Sequence, residues 1–125
     1  MVKLLLIGTG GFLGSVSRYL LSTAIYRLSN GFLFPFGTLA VNLIGCLAIG
    51  FLAGLAEFRG LLSAEMRMFL LIGVLGGFTT FSTFGYETFQ LLRDGQGQFA
   101  VTNICLSVVL GIVGVWGGFA LARHM

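Results

Sequence analysis

Four long apolar stretches, separated only by short charged or turn-forming connections, constrain this chain more than any other feature. About 20 apolar residues cross the hydrocarbon core of a bilayer as a helix. The stretches near residues 4–26, 34–56, 68–92 and 99–122 each reach that length. The first holds one charge, Arg18; the second is uncharged to Ala56, the third is uncharged as far as Tyr86, and the fourth has no charge at all. Charged residues make up 9% of the 125, where a soluble domain carries about a quarter. The expected class is an all-α integral membrane protein, with residues 1–125 forming one membrane domain of four transmembrane helices.

The connections support this division. Asn30-Gly31 reads as the turn after the first span, and Pro35 suits the first turn of the second helix, where a missing N–H costs nothing. Ser63 with nearby Glu65 resembles a helix cap, and Arg93-Asp94-Gly95 marks the last turn. Lys3 ahead of an apolar run invites comparison with a signal peptide, with Ser22-Thr23-Ala24 as a weak cleavage site. The run is longer than a typical signal core and is interrupted by Arg18, so the first helix is expected to stay. A net charge of +3 without any polybasic cluster gives no nucleic-acid surface. Cys46 and Cys105 lie in apolar stretches, where a thiol behaves as a small hydrophobe.

The third stretch contains Gly76-Gly77-Phe78-Thr79-Thr80-Phe81-Ser82-Thr83-Phe84, two adjacent glycines followed by a hydroxyl cluster. In hydrocarbon every backbone N–H and C=O must be satisfied internally, so a helix break here requires partners from protein, water or an ion. Glycine loosens the backbone and the hydroxyls offer donors. The run reads as a break on a conduction path.

Glycine pairs four apart recur in every span: Gly10/Gly14, Gly50/Gly54, Gly73/Gly77 and Gly114/Gly118. That spacing lets helix backbones approach closely, so most of the 20 glycines read as packing residues. Thr38, Asn42 and Gly45 share one face of the second helix, while Asn103, Ser107, Gly111 and Gly114 line a face of the fourth. Interhelical hydrogen bonding explains most such residues, and for Asn42 structural glue and pore donor are both open.

Positive charges set orientation in a membrane. Lys3, Arg59, Arg67 and Arg123 fall on one side, Arg27 and Arg93 on the other, with Arg18 joining the latter if it snorkels that way. So small a bias permits insertion in both orientations, and two opposed copies then form a dimer with its axis in the membrane plane.

No carboxylate stands near the middle of a span, which argues against proton coupling; Glu87 is at the exit end of the third. Neutral donors beside phenylalanine edges, which carry the positive part of the ring quadrupole, suit a small hard anion. Phe81 and Phe84, at i and i+3, are placed to present such edges in one file, although a Phe stripe is also a common core-packing pattern.

At this point the chain resembles the Fluc family of small bacterial fluoride channels, also called CrcB. The resemblance covers essentially the whole chain: Gly10-Gly11, Gly14, Ser15 and Arg18 in the first span, Gly37-Thr38-Leu39 and Asn42-Leu43-Ile44-Gly45 in the second, and the Gly76–Phe84 run in the third. It implies an antiparallel, dual-topology homodimer in the bacterial inner membrane, with two fluoride pores and a third helix broken in the middle. It implies that Phe81 and Phe84 are the pore phenylalanines, Asn42 the adjacent amide donor, Ser82 and Thr83 part of a polar track, and Ser107 a pore-side hydroxyl. Arg18 matches an arginine that draws anions into a vestibule, with headgroup snorkelling the other reading of it. Gly76 and Thr79 match positions whose backbone carbonyls, from both subunits, hold a structural sodium ion (Na+). Asn103 and Gly111 depart from family hydroxyls on the fourth helix.

The implied activity is passive export of cytoplasmic fluoride down its electrochemical gradient, with no enzyme chemistry, nucleotide or redox cofactor. A four-span drug/proton antiporter is the rival of similar size, but it needs a carboxylate in the first span and none is present there. A non-transporting assembly subunit would explain the glycines but not the hydroxyl run.

Overall fold

The apolar spans lack internal proline, and in surroundings without water the helix is the conformation that bonds every backbone group within its own segment. The computed structural model describes all 125 residues, Met1–Met125. Helix α1 covers Val2–Leu28 and α2 covers Phe36–Arg59. The third crossing is composite. It begins as α3, Ala64–Arg67, continues through a π-helical stretch, Met68–Leu75, and a last turn α4, Gly76–Phe78, and resumes after the break as α5, Phe81–Arg93. Helix α6, Gly97–His124, is the fourth crossing. There are no strands.

Local chemistry sets the ends. Asn30 and Gly31 both adopt left-handed backbone, φ 52° and 68°, which reverses the chain after α1. Pro35 is the N-cap residue of α2 rather than part of its first turn: its carbonyl already accepts the Leu39 N–H at 3.1 Å while its own backbone is not yet helical. Ser63 caps α3 as expected, its hydroxyl accepting from the Met66 N–H at 3.2 Å. Phe34 packs on Phe36 and Phe99, with ring centroids 4.9 and 6.1 Å apart, tying the α1–α2 connection to the start of α6.

The spans pair two by two, α1 against the first half of the third crossing and α2 against α6. Glycines make both contacts possible. A methyl group at Gly10 would stand 2.6 Å from the Phe69 carbonyl oxygen, and one at Gly77 would stand 2.5 Å from that of Gly11. Across the other pair, a methyl at Gly50 would strike the Val115 carbonyl and one at Gly118 the Leu47 carbonyl. All four spacing pairs therefore lie at helix contacts. Only 19 of the 125 residues are buried, and large apolar side chains such as Trp116, 72% exposed, cover the outside. A surface this apolar belongs in lipid or against another apolar surface.

Candidate functional site

The helix stops at Phe78 because the next two residues leave helical backbone. Thr79 has ψ 158°, and Thr80 is extended at φ −152°, ψ 119°. A break of two residues frees backbone groups in the middle of the bundle, where each would cost several kcal/mol if left alone. Asn42 answers for Thr80. The Thr80 N–H donates to Asn42 Oδ1 at 2.8 Å, and Asn42 Nδ2 donates to the Thr80 carbonyl at 2.9 Å. Arg18 reaches the same segment from α1, its Nη1 donating to the Thr79 carbonyl at 3.3 Å. The Thr79 hydroxyl turns back to the Leu75 carbonyl, 2.9 Å away. Because the Thr80 N–H is committed to Asn42, it does not close a helical turn onto the Gly76 carbonyl.

Past the break, the Thr80 hydroxyl restarts the helix. It accepts from the Thr83 N–H at 3.2 Å and donates to Thr83 Oγ1 at 3.0 Å, with Ser82 Oγ 3.4 Å away. That start angle directs Phe81 and Phe84 to one side, ring centroids 5.5 Å apart and planes tilted by 42°. On the single chain Phe81 is 82% exposed, whereas Phe84 is partly buried.

A groove of about 400 Å³ collects most of the residues singled out in the sequence: Asn42 from α2, Gly76, Thr79, Phe81 and Phe84 from the third crossing, and Ser107 from α6. The Ser107 hydroxyl is buried there without a protein partner. No ionisable carboxylate or cationic side chain lines this groove. Arg18 and Thr83 lie instead on a smaller cavity of about 230 Å³ between α1, α2 and α5. Ser82 is exposed beside the break. The amide of Asn42 clamps the break, the structural role of the two the sequence left open, and its second Nδ2–H remains uncommitted on a groove wall.

Three residues that tie the helices together around the break were not among the site residues expected from the sequence. Thr80 was hidden within a run of hydroxyls, and its position at a helix restart, three residues before Thr83, was the available signal. Thr38 donates to Glu87 Oε1 at 2.9 Å, and Glu87 Oε2 is buried without a partner. The signal for Thr38 was its place one turn before Asn42 on the same face, but nothing local linked it to Glu87. Asn103, 1% exposed, donates to Thr88 Oγ1 at 3.0 Å and so joins α5 to α6 as an interhelical hydrogen bond. Gly111 faces Cys46 across the α2–α6 contact.

Four helices long and apolar enough to span a membrane, one of them broken around an extended pair held by Asn42 and Arg18, define a multi-pass membrane protein with a groove at the break. A family profile described as CrcB-like protein, Camphor Resistance (CrcB), matches residues 5–119, and the chain belongs to this family. It is 50% identical over 125 residues to a fluoride-specific ion channel FluC of Geobacter sulfurreducens, covering 100% of both chains. To a protein of the same name from Methylobacillus flagellatus it is 47% identical over 123 residues, 98% of this chain and 96% of that one. A third, from Chlorobaculum tepidum, is 46% identical over 123 residues, again 98% of this chain and 96% of the other. These relatives are named as channels, not as enzymes. The spans and the relatives together identify a multi-pass protein of the bacterial inner membrane.

Proposed function

We propose that this protein is a passive fluoride-selective channel that lets toxic cytoplasmic fluoride leave the cell down its electrochemical gradient. The observation that carries this reading is the groove in which Asn42, Phe81, Phe84 and Ser107 converge without a single ionised side chain. A small anion that sheds water must be offered replacement donors. The uncommitted amide N–H of Asn42 and the hydroxyls of Ser82, Thr83 and Ser107 provide them, and the ring edges of Phe81 and Phe84 supply weak positive potential between donors. Arg18 sits one cavity away, where it raises the local anion concentration without trapping the ion.

In this reading two copies assemble antiparallel, in dual topology, giving two pores. Four basic residues on one side against three on the other support insertion both ways. An 82% exposed Phe81 beside an open groove supports a second copy as the missing wall. Near the axis of such a dimer, the Gly76 and Thr79 carbonyls would hold a structural Na+. The Gly76 carbonyl, lacking the Thr80 N–H, fits that role, and the Thr79 carbonyl accepts one bond from Arg18 and keeps a second lone pair. Neutral oxygen donors suit a monovalent cation, which supplies charge compensation for the freed carbonyls.

Purified protein in liposomes tests the function. Rapid fluoride efflux, very poor chloride efflux and no dependence on a proton gradient are expected; comparable chloride flux would remove the selectivity claim, and gradient-driven uptake would favour an antiporter.

A further inference from the structure

The groove beneath the break adjoins two further cavities of the same protomer. The cavity that holds Arg18 shares Ser22, Thr38 and Thr83 with an outer cavity of about 530 Å³ that also takes in Glu87, Gln90 and Asp94. Between the Arg18 cavity and the phenylalanine groove there is a single common wall residue, Thr80. A direct route between them crosses at Thr80.

The polar groups of Thr80 differ in their freedom. Its N–H and carbonyl are both held by Asn42, so neither turns toward an ion. Its hydroxyl is the adjustable donor: it accepts from the Thr83 N–H while its proton points to Thr83 Oγ1, with Ser82 Oγ as a second neighbour. Rotation about Cβ–Oγ moves that proton without disturbing the acceptor role that starts α5. Thr80 is only 9% exposed, so its hydroxyl meets little water.

We infer that Thr80 is the crossing residue of the ion path: its hydroxyl swings its proton from Thr83 Oγ1 to the passing anion and returns it once the ion has reached the Thr83 hydroxyl and the Arg18 cavity. This rests on the channel reading above. It assigns to one threonine two separable roles, a helix cap that uses its lone pair and an ion donor that uses its proton.

The two roles predict different substitution patterns. Serine keeps lone pair and proton; aspartate is an equally good cap but offers an anion no donor and a like charge; valine keeps the shape and loses both. In liposome fluoride efflux, Thr80→Ser is expected within about threefold of wild type, and Thr80→Asp and Thr80→Val are expected to lose about tenfold or more, the scale of one hydrogen bond to a charged group. Elution and thermal unfolding in detergent report whether the cap is retained. Thr80→Asp conducting as well as Thr80→Ser would make Thr80 a cap alone and overturn the inference. Should Asp and Val fail to fold, Thr80→Gly decides, because glycine is nearly as good an N-cap and offers the anion no side-chain proton. Loss of about tenfold in that variant supports the crossing, and unchanged flux overturns it. Wild-type protein without fluoride flux would overturn the channel reading as well, whereas a conducting wild type with conducting Thr80→Asp overturns only the role of Thr80.

Discussion

The side-chain amide of Asn42 replaces a missing turn of helix for Thr80, taking the Thr80 N–H at 2.8 Å and giving its own N–H to the Thr80 carbonyl at 2.9 Å. Because the partners lie on different spans, this pair fixes where α2 meets the break and therefore where Phe81 and Phe84 begin. Asn42→Ala should leave two buried backbone groups unpaired, at about 1–3 kcal/mol each. The expected outcome is a marked fall in the thermal midpoint of detergent-solubilised protein together with loss of fluoride efflux. An Ala variant as stable as wild type would mean that water or another side chain takes over the clamp.

Phe81 and Phe84 test the aromatic lining. Ile fills similar space but lacks the positive ring edge. Phe81→Ile or Phe84→Ile should reduce fluoride flux by an order of magnitude or more, about the worth of one lost ion contact, while the assembled protein elutes unchanged. Variants that conduct normally but dissociate in detergent would assign the ring pair to packing.

Close helix contact makes a separate prediction. Gly50 and Gly118 sit against the carbonyls of Val115 and Leu47, whereas nothing approaches Gly117 within 4 Å. Gly50→Ala and Gly118→Ala should each destabilise by about 1–3 kcal/mol through overpacking. Gly117→Ala should stay within about 0.5 kcal/mol of wild type. Thermal unfolding followed by size-exclusion elution reads both.

Arg18 raises a question of range. If it concentrates anions at the cavity mouth, Arg18→Gln should slow efflux several-fold at low ionic strength and less in high salt, since the Debye length falls from about 30 Å at 0.01 M to about 3 Å at 1 M. A salt-independent loss would instead mark its hydrogen bond to Thr79 as the larger contribution.

The sodium proposal is tested by removing the ion. Exchange of Na+ on both sides for a bulky organic cation should impair activity or thermal stability, slowly if the ion is buried. Full activity after exhaustive exchange would exclude a structural sodium.

Much of the architecture was legible because it is written locally. Span length and uncharged composition predict four crossings; the Ser63 cap and Asn30-Gly31 turn depend only on adjacent residues; and glycines four apart lie on one helix face whatever they pack against. Sequence alone also marked the Gly76–Phe84 run, since two glycines and four hydroxyls inside an apolar span demand an exceptional backbone. What it could not provide was the partner of each polar group. Asn42 and Thr80 are 38 residues apart, Thr38 and Glu87 are 49 apart, and no periodicity joins them. Asn103 and Ser107, equivalent on a helical face, separated into a bonded interhelical contact and an unpartnered groove hydroxyl. Only the packing of α2 and α6 against the broken crossing decided these roles, because a buried donor acquires its function from the acceptor that tertiary structure sets opposite it.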